Sequence, residues 1–399
     1  MMKIDFPEHF FFGSSTAFAQ IETAFEHNWK GLKALDGFIF DNTCAHEQKR
    51  DEDLEYICMF GSVYRMSLDW GKLQRAPMAD FDQSTIDDYI SFMQKLRQRN
   101  MKIMLVIHHF TNPIWFEQLG GWEKSNNVDL FIDFAKKLID NFGEYGDYWN
   151  TINEPEVYAS NAYVMGNFPP FVKNFLRARK VVKNLGRAHD ICYDLIKNKF
   201  PNAPIGISKN AVVFYGLNFL GKFPAKFADW WFMQYIPSHF EKVDFFGMSY
   251  YTKMPFDPFP INEIETPGKL KTLGKKHDMM WEYYPEGMYE NIMRYHKKYN
   301  KPFIITESGI ATEECEMRKQ AINDYLFQIN RAMNDGAKVL GYVHWSTFDN
   351  FEWNLGCSYR FGLVRVDFEN NYNRTLKESG KYYAEVCKNK GFTYLKEMN

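Results

Sequence analysis

Phe303-Ile-Ile-Thr-Glu-Ser-Gly309 begins as an apolar, strand-forming run and breaks off in a carboxylate, Glu307. An unpaired buried carboxylate is costly, so an acid at the end of such a strand needs partners or a task. The same pattern recurs along the chain, with short apolar runs at Phe10–Thr16, Val63–Trp70, Lys102–Phe110, Tyr148–Glu154, Ile205–Asn210, Phe245–Tyr251 and Val339–Phe348. Between them Ile86, Tyr89, Met93 and Leu96 recur at helical spacing, as do Leu130, Phe134 and Leu138, and Ile322, Tyr325 and Ile329. This alternation predicts an α/β fold, a (β/α)8 TIM barrel that forms one catalytic domain over residues 1–399. Gly143 and Gly336 stand where helices should stop. Lys253–Pro285, with prolines at 255, 258, 260, 267 and 285, reads as an elaborated loop that could roof a site.

With 399 residues, 45% hydrophobic and 25% charged, the chain can bury a large core. A net charge of −2 gives no electrostatic footprint for nucleic acid or for an acidic membrane surface. The basic run from Lys173 to Arg187, with Arg177, Arg179, Lys180 and Lys183, could be read as a membrane-surface helix, but a solvated helix face is the commoner meaning of such a run. No run reaches the ~18 apolar residues of a membrane span. Six cysteines without CxxC spacing read as reduced thiols, and the first dozen residues lack the pattern of a secretory signal, so the expected address is cytoplasmic.

Polar residues gather at the C-terminal ends of these strands: Asn153-Glu154, Ser249 and Tyr251, Glu307, and Trp345 with Asp349. That rim is where a barrel of this type collects its chemistry. Helix capping would account for any one of them, but not for carboxylates and aromatics at so many strand ends. Glu154 lies directly before Pro155, which biases its backbone to the extended region. Two carboxyl groups on one rim supply what acetal cleavage needs, one protonated and one ionised.

The chain resembles glycoside hydrolase family 1 from Phe6-Pro7 to about Tyr382. The likeness rests on Phe12-Gly-Ser-Ser-Thr-Ala17 with Gln20, Tyr64-Arg-Met-Ser67, His109, Thr151-Ile-Asn-Glu-Pro155, Ile305-Thr-Glu-Ser-Gly309, Trp345-Ser-Thr-Phe-Asp-Asn-Phe-Glu-Trp353 and Arg360-Phe-Gly-Leu363. The resemblance implies a retaining β-glycosidase of the β-glucosidase type, open also to galactose or fucose configurations. Glu154 would be the acid/base and Glu307 the nucleophile, their carboxyl groups about 5 to 5.5 Å apart. Arg65 and Tyr251 would hold the nucleophile. Gln20, His109, Asn153, Glu352 and Trp353 would meet the sugar hydroxyls, with Trp345 against the ring face. Glu352 would take the hydroxyls at positions 4 and 6, and its charge would exclude a 6-phosphate. Three positions depart from the family pattern: Ser308 and Ser249 each replace an asparagine, and Phe110 replaces a tryptophan. The first two shorten polar side chains near the nucleophile, and the third removes an indole N–H.

Other readings are weaker. Gly216-Leu-Asn-Phe-Leu-Gly-Lys222 is followed by Phe223, so it lacks the hydroxyl residue of a P-loop. His108 and His109 are adjacent on a strand and point to opposite faces, so no metal site is expected there, and no cofactor. The expected partner is a small-molecule glycoside, with neither nucleic acid nor membrane. The rival functions are a transglycosidase using the same two glutamates and a non-catalytic carbohydrate-binding protein.

Overall fold

In a computed structural model, eight parallel strands close into a barrel. The structure describes residues 1–394 apart from 24, 42, 258–277 and 280. A short strand β1 (Met2–Asp5) precedes the barrel, whose strands are β2 (Phe11–Ser15), β3 (Val63–Ser67), β4 (Lys102–His108), β5 (Tyr148–Asn153), β6 (Ile205–Gly216), β7 (Phe245–Phe256), β8 (Phe303–Ser308) and β9 (Val339–Trp345). β9 pairs back onto β2, with Gly13 opposite Val343 and Ser15 opposite Trp345. Two antiparallel pairs lie outside the barrel. β10 (Val364–Asp367) joins β11 (Asn373–Leu376), and β12 (Gly391–Tyr394) joins β1, tying the ends of the described chain together.

The barrel interior follows from the alternation of side chains along each strand. Phe11, Val63, Met104, Phe245, Ile304 and Val343 form one buried apolar cluster. Two residues further along the same faces the set changes character: Val63 leads to Arg65, Val343 to Trp345, and Phe245 through Gly247 and Ser249 to Tyr251. An apolar plug therefore underlies a polar layer at the C-terminal ends.

The helices bury the stripes expected of them. Helix Gln83–Gln98 buries Ile86, Tyr89, Met93 and Leu96, and Asp82 caps it by accepting from the Thr85 amide at 3.0 Å. Helix Val128–Phe142 buries Phe134 and Leu138 and leaves Leu130 half-buried, and helix Cys315–Asn334 buries Ile322, Tyr325 and Ile329. Helix Phe175–Lys199 turns Arg177, Arg179, Lys180, Lys183 and Arg187 to solvent, as the basic run implied.

Strand lengths differ from expectation in two places. β6 continues from Asn210 to Gly216 and β7 from Tyr251 to Phe256, pairing as far as Gly216 with Phe256. The extra residues, Ala-Val-Val-Phe-Tyr-Gly and Thr-Lys-Met-Pro-Phe, satisfy each other's backbone groups above the rim. The loop expected over Lys253–Pro285 accordingly begins inside a strand, and most of its middle lies outside the described residues. The two helix-stop glycines also separate. Gly336 has φ +97°, with open space where a Cβ would be. Gly143 stays right-handed (φ −60°), but a Cβ there would stand 2.3 Å from the Phe200 ring, so packing and not conformation requires glycine.

Gly143→Ala should therefore cost about 1–3 kcal/mol by overpacking and be partly rescued by Phe200→Leu. Gly336→Ala should cost about 1 kcal/mol with no such rescue. Denaturant unfolding of the single and double variants checks this; a Gly143→Ala cost that Phe200→Leu leaves unchanged would contradict it.

Candidate active site

Arg65, on β3, is fully buried at the centre of the polar layer. Its Nη1 donates to Glu307 Oε1 at 2.5 Å and to Ser15 Oγ at 3.1 Å. Its Nη2 donates to Asn153 Oδ1 at 2.6 Å and to Ser208 Oγ at 3.3 Å. One guanidinium thus ties β3 to β2, β5, β6 and β8. Such a cation is tolerable without water only when its charge is paired and most of its protons are bonded, and here Nε alone lacks a partner among the described residues. The second oxygen of Glu307 accepts from the Tyr251 hydroxyl at 2.8 Å, so both carboxylate oxygens are held.

Glu154 follows β5 and caps the helix Pro155–Ser160. Its backbone is left-handed (φ 39°, ψ 62°), against the extended conformation expected before a proline. Two hydrogen bonds fix it there: its N–H donates to the Ser208 carbonyl at 2.7 Å and its carbonyl accepts from the Tyr158 amide at 3.0 Å. A non-glycine residue in this region costs on the order of 1–3 kcal/mol, and such strain tends to collect at functional sites. Phe110 and Trp353, both at this rim, also have positive φ.

The Glu154 side chain has a different setting from Glu307. Its Oε1 accepts from Asn210 Nδ2 at 3.0 Å. Burial, and next the negative charge of Glu307, push its pKa up to about 8, while the hydrogen bond from Asn210 and the nearby Ser249 hydroxyl oppose the rise. Asn210 is itself clamped. Its N–H donates to Glu156 Oε2 at 3.4 Å, and its carbonyl accepts from Lys209 Nζ at 2.9 Å. Lys209 and Glu156 form a buried ion pair at 3.3 Å, and Lys209 also donates to the Phe232 carbonyl at 3.0 Å. Sequence reasoning missed Asn210, although it is a polar residue at a strand end like the others. Glu156 and Lys209 carried no signal, because their pairing depends on the fold.

A third group forms the wall beside these acids. Asn153 Oδ1 takes the Arg65 proton, so its Nδ2 is the donor to His109 Nε2 at 3.0 Å. His109 consequently carries its proton on Nδ1, and burial, with Arg65 and His108 nearby, holds it neutral, well below the usual imidazole range. That Nδ1 is buried without a partner among the described residues. Gln20 Nε2 donates to the Phe351 carbonyl at 2.8 Å and to Glu352 Oε2 at 3.5 Å, leaving its own Oε1 equally unpartnered among the described residues. A free donor and a free acceptor of this kind await a hydroxylated ligand. The His109 ring lies 6.1 Å from Trp345 and 6.0 Å from Trp353.

Glu352 forms no ion pair among the described residues. It keeps some exposure, yet burial and the charge of Glu307 push its pKa up to about 8, opposed by hydrogen bonds involving Trp345 and Gln20. Burial and the charge of Glu307 thus favour the protonated form of Glu352, and none of the groups acting on it is a cation.

Gln20, Arg65, His109, Asn153, Glu154, Tyr251, Glu307, Trp345, Glu352 and Trp353 all fall within this connected set, whereas Asp349, also at a strand end, is held in a buried ion pair with Lys377 at 2.8 Å. Two of the departures from the family pattern leave buried hydroxyls without a hydrogen-bond partner among the described residues, Ser249 Oγ and Ser308 Oγ, yet Arg65 and Tyr251 still hold Glu307, and Phe110 packs its ring 5.1 Å from Trp353. Among the described residues no group of three or more His, Cys, Asp and Glu could hold a metal ion.

Comparison with known proteins points the same way. The sequence pattern of glycosyl hydrolase family 1 matches residues 2–218 and 234–392. Beta-glucosidase A of Acetivibrio thermocellus is 28% identical, over 98% of this chain and 100% of its own. A chloroplastic galactolipid galactosyltransferase of Arabidopsis thaliana is 29% identical, over 82% of this chain and 55% of its own. The solved family 1 β-glucosidase of Thermotoga maritima, in complex with isofagomine lactam, superposes with a TM-score of 0.88 at 26% identity, covering 98% of this chain and 100% of that one.

The pKa of Glu352 makes a stability prediction. An acid raised in the folded state from the ordinary 4.5 contributes its stability at low pH and loses it as pH rises through about 8. Relative to wild type, Glu352→Gln should gain Tm as pH is raised from about 6 to about 9. A wild-type-to-variant Tm difference that stays constant over that range would contradict the assignment.

Proposed function

The chain belongs to glycosyl hydrolase family 1 and is a glycoside hydrolase, and we propose that it hydrolyses an unphosphorylated β-glycoside with retention through Glu154 and Glu307. The observation that carries this reading is the contrast between the two glutamates. Glu307 has both oxygens gripped by Arg65 and Tyr251, which orients it as the nucleophile. Glu154, with its pKa near 8, keeps a proton at neutral pH for the leaving oxygen.

Glu307 attacks the anomeric carbon while Glu154 protonates the departing alcohol, leaving a covalent glycosyl-enzyme. Esterified Glu307 no longer carries the charge that raises Glu154. The pKa of Glu154 then falls, and it takes a proton from the attacking water. Two inversions at one carbon return the β configuration.

Gln20 Oε1 and His109 Nδ1 meet hydroxyls of the sugar, Trp345 lies against its ring face, and Asn153, Glu352 and Trp353 complete the glycone contacts. A phosphate at Glu352 would find no counter-charge among the groups that act on it. Residues 1–399 act as one catalytic domain. All six cysteines are free thiols, which suits the reducing cytoplasm.

A second reading is favoured by one relative, the galactolipid galactosyltransferase. The same intermediate could pass its sugar to an alcohol in place of water, and the ratio of free sugar to aglycone released with an acceptor present separates the two outcomes.

Glu154→Gln should slow glycosides with poor leaving groups by about 100-fold or more while largely sparing the formation of the intermediate from activated aryl glycosides, since only the former need a proton. Pre-steady-state rates across a leaving-group series test this, and equal losses throughout would remove Glu154 from the role of acid.

A further inference from the structure

The extension of β6 carries the chain away from the acids. Asn210 touches Glu154, and Gly216 lies about 20 Å further along the strand at ~3.3 Å per residue. There the chain turns, with Asn218 Oδ1 accepting from the Gly221 amide at 2.8 Å, into the helix Lys222–Trp230.

The outward side of this turn and helix is apolar. Phe219 is 71% exposed, Leu220 53%, Phe223 62%, Phe227 53% and Trp230 38%. The rings form two contacting sets one helical turn apart, Phe219 lying 5.8 Å from Phe223, and Phe227 5.6 Å from both Trp230 and Phe175. At the 150–250 Å² that one aromatic side chain can bury, these exposures leave on the order of 500 Å² of apolar surface in water. A patch of that size matches the largest on a typical monomer, which is often functional.

The charge around the row is mainly positive, with Asp257, which accepts from Asn218 Nδ2 at 3.4 Å, the acid at the turn. Lys222 and Lys226 flank it and are exposed, as is Lys180 on the neighbouring helix Phe175–Lys199, and none of the three forms an ion pair among the described residues. Arg179 joins them, lying over the Tyr235 ring, which stands 5.0 Å from Trp230. From Phe168 to His189 and from Val212 to Ala228 the sequence has no acidic residue. Asp229, next along, is engaged by Arg294 through both oxygens at 2.5 and 2.7 Å.

We propose that the aromatic and basic face formed by Phe219–Trp230 and Arg179–Lys180 docks this protein peripherally on an anionic lipid bilayer. Aromatic rings with interleaved lysines suit the headgroup region, where rings enter the acyl boundary and ammonium groups meet phosphates. A second copy of the chain fits less well, because a two-fold contact across this face would set Lys222 and Lys226 against their equivalents. The sequence reading of the basic run as a solvated face without a membrane partner omitted the aromatic row, which comes from a distant segment.

The test is co-sedimentation with sucrose-loaded vesicles of phosphatidylcholine alone, or of phosphatidylcholine and phosphatidylglycerol at about three to one. Wild type should sediment with the anionic vesicles and much less with the neutral ones, and added salt should release it. Phe223→Ser with Phe227→Ser, and separately Lys222→Glu with Lys226→Glu, should each lower the bound fraction about tenfold while melting as the wild type does. Three results would overturn the proposal: no wild-type binding to anionic vesicles, equal binding to neutral ones, or binding that neither variant weakens. A wild-type dimer that the phenylalanine variant dissolves, without vesicle binding, would likewise overturn it and assign the face to self-association.

Discussion

A guanidinium shut away from water sets the terms for the whole C-terminal end of the barrel. Arg65 needs a counter-charge and several acceptors, and the neighbouring strands supply them as Glu307, Asn153, Ser15 and Ser208. Each partner is oriented by the bond it makes. Through Asn153 the constraint reaches His109 and decides which imidazole nitrogen keeps its proton. The apolar plug of Phe11, Val63, Met104, Phe245, Ile304 and Val343 fills the barrel beneath this polar layer.

Glu154 is controlled by a separate device. Its left-handed backbone is held by Ser208 and Tyr158, and its carboxyl by an asparagine clamped between Lys209 and Glu156. The buried ion pair stands behind Asn210 and fixes its peptide, which is a better-founded role for such a pair than stability, where desolvation offsets much of the attraction. The two acids share one basin and feel each other's charge, yet one is held by a cation and a phenol and the other by a neutral amide. That asymmetry separates their roles.

Much of this was legible in the sequence because a parallel strand buried on both faces leaves an acid at its end conspicuous. Glu307 and Glu154 announced themselves in that way, and the family blocks supplied Gln20, His109 and Glu352, whose spacing alone says little. Other features were hidden for physical reasons. The proline after Glu154 argues for an extended residue, but the tertiary bonds of Ser208 and Tyr158 override that local bias. Lys209 and Glu156 are far apart in sequence and look like surface charges until the barrel closes on them. Gly143 looks like a conformational stop, whereas the Phe200 ring is what forbids a side chain there. The full length of β6 and β7 is hidden because a polar residue such as Asn210 marks a strand end in pattern, while Ala-Val-Val-Phe continues the apolar run past it.

The long β6 links the acids to an aromatic rim, and the division of labour between Glu307 and Glu154 remains the centre of the account. It is tested most directly by incubating the enzyme with an activated 2-deoxy-2-fluoro-β-glycoside, whose fluorine slows release of the sugar, and locating the label by peptide mass spectrometry. A single fluoroglycosyl group on the peptide bearing Glu307, with none on that bearing Glu154, is the expected result. A label on Glu154 or on any other residue would contradict it.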